Sequence, residues 1–126
     1  MRLLVSLACL VLVSSVALAG DASSAFNSFC EEWMGKLAAR ERYNIANIKW
    51  DAKSGSVTGE YVGYTREHTC TVKDANKVPI GKIIYREIVY QKHGGTIPEA
   101  EKSPAEAIEA TEVTEIFRYS AGKWVY

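Results

Sequence analysis

The spacing of apolar residues changes once along this chain, and that change limits the fold more than any other feature. Over residues 24–42, Phe26, Phe29, Cys30, Trp33, Met34 and Leu37 recur every three or four positions, with Glu31, Glu32, Lys36 and Arg40 on or near the other side. This is the stripe of an amphipathic helix. Asp21, Ser23 and Ser24 are available as N-caps, and Arg40 and Arg42 suit the negative end of the helix dipole. From residue 43 onward the period is two, as in half-buried strands. One helix followed by strands on short turns predicts an α+β fold: an N-terminal amphipathic helix packed on a curved antiparallel sheet of about four or five strands.

The strands expected are 43–51 (Ile45, Ile48, Trp50), a long one over 56–73, another over 80–92, and a last hairpin of 112–119 with 124–126 around Ser120-Ala121-Gly122-Lys123. Residues 52–55 and 74–79 connect them. Gly59 and Gly63 fall inside the second strand and predict a bulge or sharp bend that curls the sheet. Strand 80–92 is apolar on both faces, with Ile83, Tyr85 and Val89 on one and Ile84, Ile88 and Tyr90 on the other. A single helix covers one face, so the second lines a concavity, packs on the long loop or meets another subunit. That loop, 93–110, holds Gly94-Gly95, Pro98 and Pro104, and Ser103-Pro104-Ala105-Glu106 matches a capping box, which predicts a helical turn over 104–110.

The chain of 126 residues suits one small domain. Met1-Arg2, the apolar run 3–13 broken only by Ser6, and Ala17-Leu18-Ala19 make the three-part pattern of a secretory signal peptide over 1–19, leaving a single domain over 20–126. The run falls short of the roughly 20 apolar residues that span a bilayer. The expected location is therefore periplasmic or secreted, with no stable membrane insertion after cleavage. Removal of residues 1–19 takes Cys9 and Arg2 and turns 15 basic against 15 acidic side chains into a formal charge of about −1. Such balance argues against nucleic acid as a partner. The acid is uneven: Glu99, Glu101, Glu106, Glu109, Glu112 and Glu115 face Lys102 alone over 99–115. Cys30 and Cys70 remain, and an even pair in an oxidising compartment reads as a disulfide.

Catalytic patterns are scarce. His68 and His93 lie in no HExxH or zinc-deaminase pattern, there is no GxSxG serine, and Gly55, Gly59 and Gly63 sit in strand context, unlike a phosphate loop. No catalytic or cofactor-binding residue is assigned, no cofactor is expected, and the chain does not read as an enzyme. His68 and Cys70 share a strand face, so with Cys30 they would offer a partial zinc site, but that needs reduced thiols and a fourth ligand. The disulfide is the reading kept, with no metal ligands. Tyr61, Tyr64, Tyr85, Arg86, Glu87, Tyr90, Glu115 and Arg118 are the candidate binding face. The plain alternative is cross-strand Glu and Arg pairs on a solvated sheet.

A helix wrapped by a bent antiparallel sheet is similar in plan to cystatin-like and nuclear-transport-factor-like (NTF2-like) folds, an analogy of architecture alone. The Gln-x-Val-x-Gly signature of cystatin inhibitors is absent, Ser56-Val57-Thr58-Gly59 and Tyr61-Val62-Gly63 sharing only Val and Gly, and Lys123-Trp124 stands where a cystatin would show Pro-Trp. The function expected is non-catalytic binding or assembly through a sheet face, with a protein partner or a second copy. The alternative is a small-molecule binder or simple enzyme with a Tyr/Glu-lined cavity inside the curved sheet, and the third is protease inhibition.

Overall fold

A computed structural model describes residues 17–75 and 78–126. In chain order it contains α1 (Ala17–Ala46), β1 (Asp51–Lys53), β2 (Ser56–Tyr64), β3 (Thr69–Ala75), β4 (Val78–Gly94), α2 (Ile97–Lys102), β5 (Glu106–Ser120) and β6 (Lys123–Val125). The strands form one antiparallel sheet of order β1-β2-β4-β5-β6, with β3 also on β4. The α+β plan of one helix on a curled sheet is thus the fold. Most of the signal pattern, residues 1–16 with Cys9, lies outside the described residues, and Ala17-Leu18-Ala19 begins α1. Among the described residues no helix is long and apolar enough to cross a membrane.

Helix α1 outruns its expected 24–42 span. Residues 43–46 are helical and 47–50 are in no strand, so the strand expected over 43–51 is absent except at Asp51, where β1 begins and takes up residues 52–53 of the expected turn. The cause is tertiary. Asn44 Nδ2 donates to the Val62 carbonyl at 2.9 Å and fastens the last turn to β2, while Tyr43 and Ile45 stay exposed. Asn47 then closes the helix, its Nδ2 donating to the Tyr43 carbonyl at 2.8 Å.

The long strand over 56–73 is two strands laid end to end on one edge of β4. Tyr64 pairs with Glu87 and Thr69 with Ile84, five steps on one side against three on the other, so residues 65–68 carry a two-residue excess. Such an excess bends a sheet and increases its twist. Thr65 spans the break: its N–H donates to the Arg86 carbonyl at 2.9 Å and its Oγ1 accepts from Arg86 N–H at 2.9 Å. The register runs unbroken through Gly59 and Gly63, so neither glycine is a bulge. A Cβ at Gly59 would strike Ile48 and Trp50, and one at Gly63 would strike Glu41 and Tyr90. They are glycine because the helix end and the segment after it lie directly on them.

The core gathers where α1 crosses β4, β5 and β6. Phe26, Cys30, Ile83 and Phe117 are fully buried, joined by Leu37, Tyr85 and Trp124. Phe26 meets Trp124 with ring centroids 4.6 Å apart, and Phe29 and Trp33 meet Phe117 edge-on at 4.8 and 5.0 Å. Trp124 Nε1 donates to the Ala22 carbonyl at 3.0 Å, which ties the last strand to the start of the helix. Cys30 and Cys70 are bonded, with Cα atoms 6.5 Å apart, so the expected disulfide pins α1 to β3. The connection expected over 74–79 is a tight hairpin pairing Ala75 with Val78, its residues 76–77 outside the described set.

The helical turn expected over 104–110 is instead α2, seven residues earlier. Thr96 Oγ1 accepts from Glu99 N–H at 3.3 Å, and Glu99 Oε2 accepts from Gly95 N–H at 3.0 Å, so the working capping box is Thr96 to Glu99. Ser103 ends α2, its N–H and Oγ both donating to the Ala100 carbonyl. The earlier position wins because Ala100 becomes fully buried against Gly94, where a Cβ would meet the Ala100 backbone. Residues 106–110 are thereby released to lengthen β5, all but Ile108 pairing with β4 and Ile108 forming a bulge opposite Val89 and Tyr90.

Candidate functional site

The eight residues of the expected binding face fall in three places. Arg86 and Arg118 are exposed, opposite Glu112 and Ile80 in the β4–β5 register. Tyr61 and Tyr90 pair across β2 and β4 with rings stacked 5.1 Å apart beside the end of α1. Burial raises the Tyr61 phenol above its ordinary value, helped by the Glu41 carboxylate and then by Tyr90. Glu41 Oε1 also accepts from Tyr64 N–H at 3.1 Å, and half-buried Glu87 pairs with Tyr64 in the register. Tyr64 meets Tyr85 edge-on at 6.0 Å, so the aromatic path continues under the helix.

Tyr85 and Glu115 form the third place. Tyr85 is buried, and its hydroxyl donates to Glu115 Oε1 at 3.1 Å. Burial, and then the bond to Glu115, push the phenol well above its ordinary value, so it stays a donor into the alkaline range. Around this pair Trp33, Lys36, Leu37 and Arg40 of α1, with Tyr126 beyond β6, enclose a recess of about 270 Å³. The ring of Tyr126 lies nearly parallel to that of Trp33 at 5.9 Å, and its phenol is raised by a hydrogen bond to Glu115. Trp33 Nε1 is buried without a hydrogen-bond partner. Sequence reasoning placed Trp33 in the core stripe and left Tyr126 out. The signal available was the spacing of Trp33, Lys36, Leu37 and Arg40, which puts four chemically different side chains on one helix face.

The two long edges of the sheet differ. On β2, β1 covers residues 56–58, and Asn44 and Glu41 from α1 occupy the Val62 carbonyl and the Tyr64 N–H. On β5, β6 pairs only with residues 118–120, which leaves 106–117 with β4 on one side and, among the described residues, no strand on the other. At about 3.4 Å per residue this edge is roughly 40 Å long. Glu106, Glu109 and Glu112 stand along it exposed, as do Ile108 and Ile116.

The donor atoms of Cys30, His68 and Cys70 lie within 4.8 Å of one another, which explains why the spacing resembled a metal site. The two sulfurs are spent on each other, and exposed His68 holds Nδ1 2.6 Å from the Arg66 carbonyl. Comparison with protein-family models, with curated proteins and with solved structures finds no match for this chain.

Proposed function

We propose that this protein is an exported, non-catalytic binding module that docks an extended, cationic segment of a partner protein along the free edge of β5. The observation that carries this reading is the stretch 106–117 without a second strand among the described residues, set against a β2 edge stoppered by helix side chains. An unpaired edge offers alternating N–H and carbonyl groups to any added strand, and side chains beside it select which strand. Here the selectors are Glu106, Glu109 and Glu112. Edge-to-edge pairing of two copies would bring these rows of carboxylates together, which disfavours self-association and favours lysine or arginine at matching positions. The interior of the curl is filled by Phe26, Ile83 and Phe117, which favours the edge over an internal cavity. Export rests on the 1–19 pattern, and the disulfide is compatible with it.

The test is titration of mature protein with a twelve-residue peptide alternating lysine and threonine, followed by calorimetry at low and high salt. Saturable binding that weakens with salt and disappears in the double variant Glu106→Lys/Glu109→Lys, whose carboxylates share the face of Gln91 and Val89, supports the reading. Equal binding by that variant, or by a peptide with glutamate in place of lysine, overturns it.

A further inference from the structure

The recess beside β5 shares only Glu115 with the free edge and carries charges of both signs. We infer that it binds a small zwitterion joining a methylated ammonium to a carboxylate, the ammonium against Glu115 among the rings of Trp33, Tyr85 and Tyr126, and the carboxylate at Arg40 and Lys36 on the rim.

The chemistry follows from the layout. Glu115 reaches into the recess from β5, where Oε1 accepts from the Tyr85 hydroxyl and the carboxylate also holds the Tyr126 phenol. Three aromatic rings line the recess with that carboxylate, and the faces of such rings attract organic cations, with methylated ammonium groups the best-known case. A carboxylate flanked by tyrosine and tryptophan rings is therefore a cation seat. Opposite it, Lys36 and Arg40 lie one helical turn apart on α1. Lys36 also pairs with Glu32 at 3.5 Å on the surface, whereas Arg40 makes no ion pair among the described residues.

Each half of the recess selects against a simple ion. A free cation that reached Glu115 would sit close to two basic side chains, and a free anion held by Arg40 would face the carboxylate. A molecule carrying both charges a few ångströms apart satisfies both walls at once. The volume of about 270 Å³ holds a molecule of about eight to ten non-hydrogen atoms, given roughly 30 Å³ for each water-sized group. Glycine betaine is of that size and charge pattern.

The experiment titrates mature protein with glycine betaine, tetramethylammonium and acetate, read by chemical shifts of the Trp33 indole and the Tyr126 ring. Betaine should give saturable shifts at both residues, with tetramethylammonium and acetate weaker by at least about tenfold. Glu115→Gln should weaken betaine by about tenfold or more. Arg40→Gln, at an exposed position that does not hold the fold together, should weaken betaine similarly while leaving tetramethylammonium unchanged or tighter. No saturable shift with betaine, equal affinity for either single ion, or unchanged betaine binding by Arg40→Gln would overturn the assignment.

Discussion

The two halves of β5 are one continuous strand paired to one partner, yet they live in different surroundings. Residues 113–120 hold Phe117 at the centre of the core, with Val113 and Tyr119 packed against it. Residues 106–112 are exposed without exception. Both halves are hydrogen-bonded to β4, so pairing does not separate them. The reach of the helix does: α1 brings Phe26, Phe29 and Trp33 against Phe117, whereas α2 packs on β4 and β2. Covered strand becomes scaffold, and uncovered strand, lined with glutamate, becomes available surface.

The largest test of that contrast is Phe117→Ala. Removing a fully buried aromatic side chain should lower unfolding free energy by about 3–5 kcal/mol in a urea titration. A loss below about 1 kcal/mol would mean the covered half is not the core. Next is the disulfide. Replacing both cysteines by serine should cost about 3–4 kcal/mol, because the bond closes a loop of 40 residues. An unchanged urea midpoint would remove the bridge from the account.

How much of this was legible in the sequence depends on how local each cause is. The helix stripe, the cysteine pair and the final hairpin are written in short spacings and were readable. The end of α1 was not, because Asn44 finds its partner in Val62. Gly59 and Gly63 were visible as exceptions, but what they make room for, Trp50 and Glu41, reaches them only in the folded chain. Two Ser/Thr-x-x-Glu tetrads compete in the 93–110 segment, and local rules rank them equally. The choice falls to Ala100 docking on Gly94. The acid of 99–115 was plain, but a loop was expected where most of it lies on a strand edge. The recess is half visible in the sequence, in Tyr85 and Glu115, while the spacing of Trp33 marks it only as core although it serves both.

A smaller effect tests the close approach of helix and sheet. Gly81→Ala would push a methyl group into the Phe26 ring and should cost about 1–3 kcal/mol. The same change at Gly35, on the helix with open space around it, should be neutral or stabilising in the same melts.

Alkaline pH probes the Tyr85 phenol. Its folded value is raised, so its contribution is fully present below about pH 10.0, the ordinary tyrosine value. Above that the unfolded chain loses a proton that the folded chain keeps, and stability falls as pH climbs towards the raised value. Melting temperatures measured across this range should decline less steeply in Tyr85→Phe. Parallel curves would contradict the buried hydrogen bond. The smallest expected change is Ile108→Thr in the exposed half, within about 0.5 kcal/mol of the parent protein. A loss comparable to that of Phe117→Ala would erase the distinction between the halves.

Amide hydrogen exchange of β5, followed residue by residue with and without the lysine–threonine peptide, tests the docking edge most directly. The account predicts that, in the free protein, every second amide over 109–117 exchanges quickly, those turned away from β4, and that the peptide slows this set. Rapid exchange of the same amides at saturating peptide, or protection confined to β2 or β3, would contradict it.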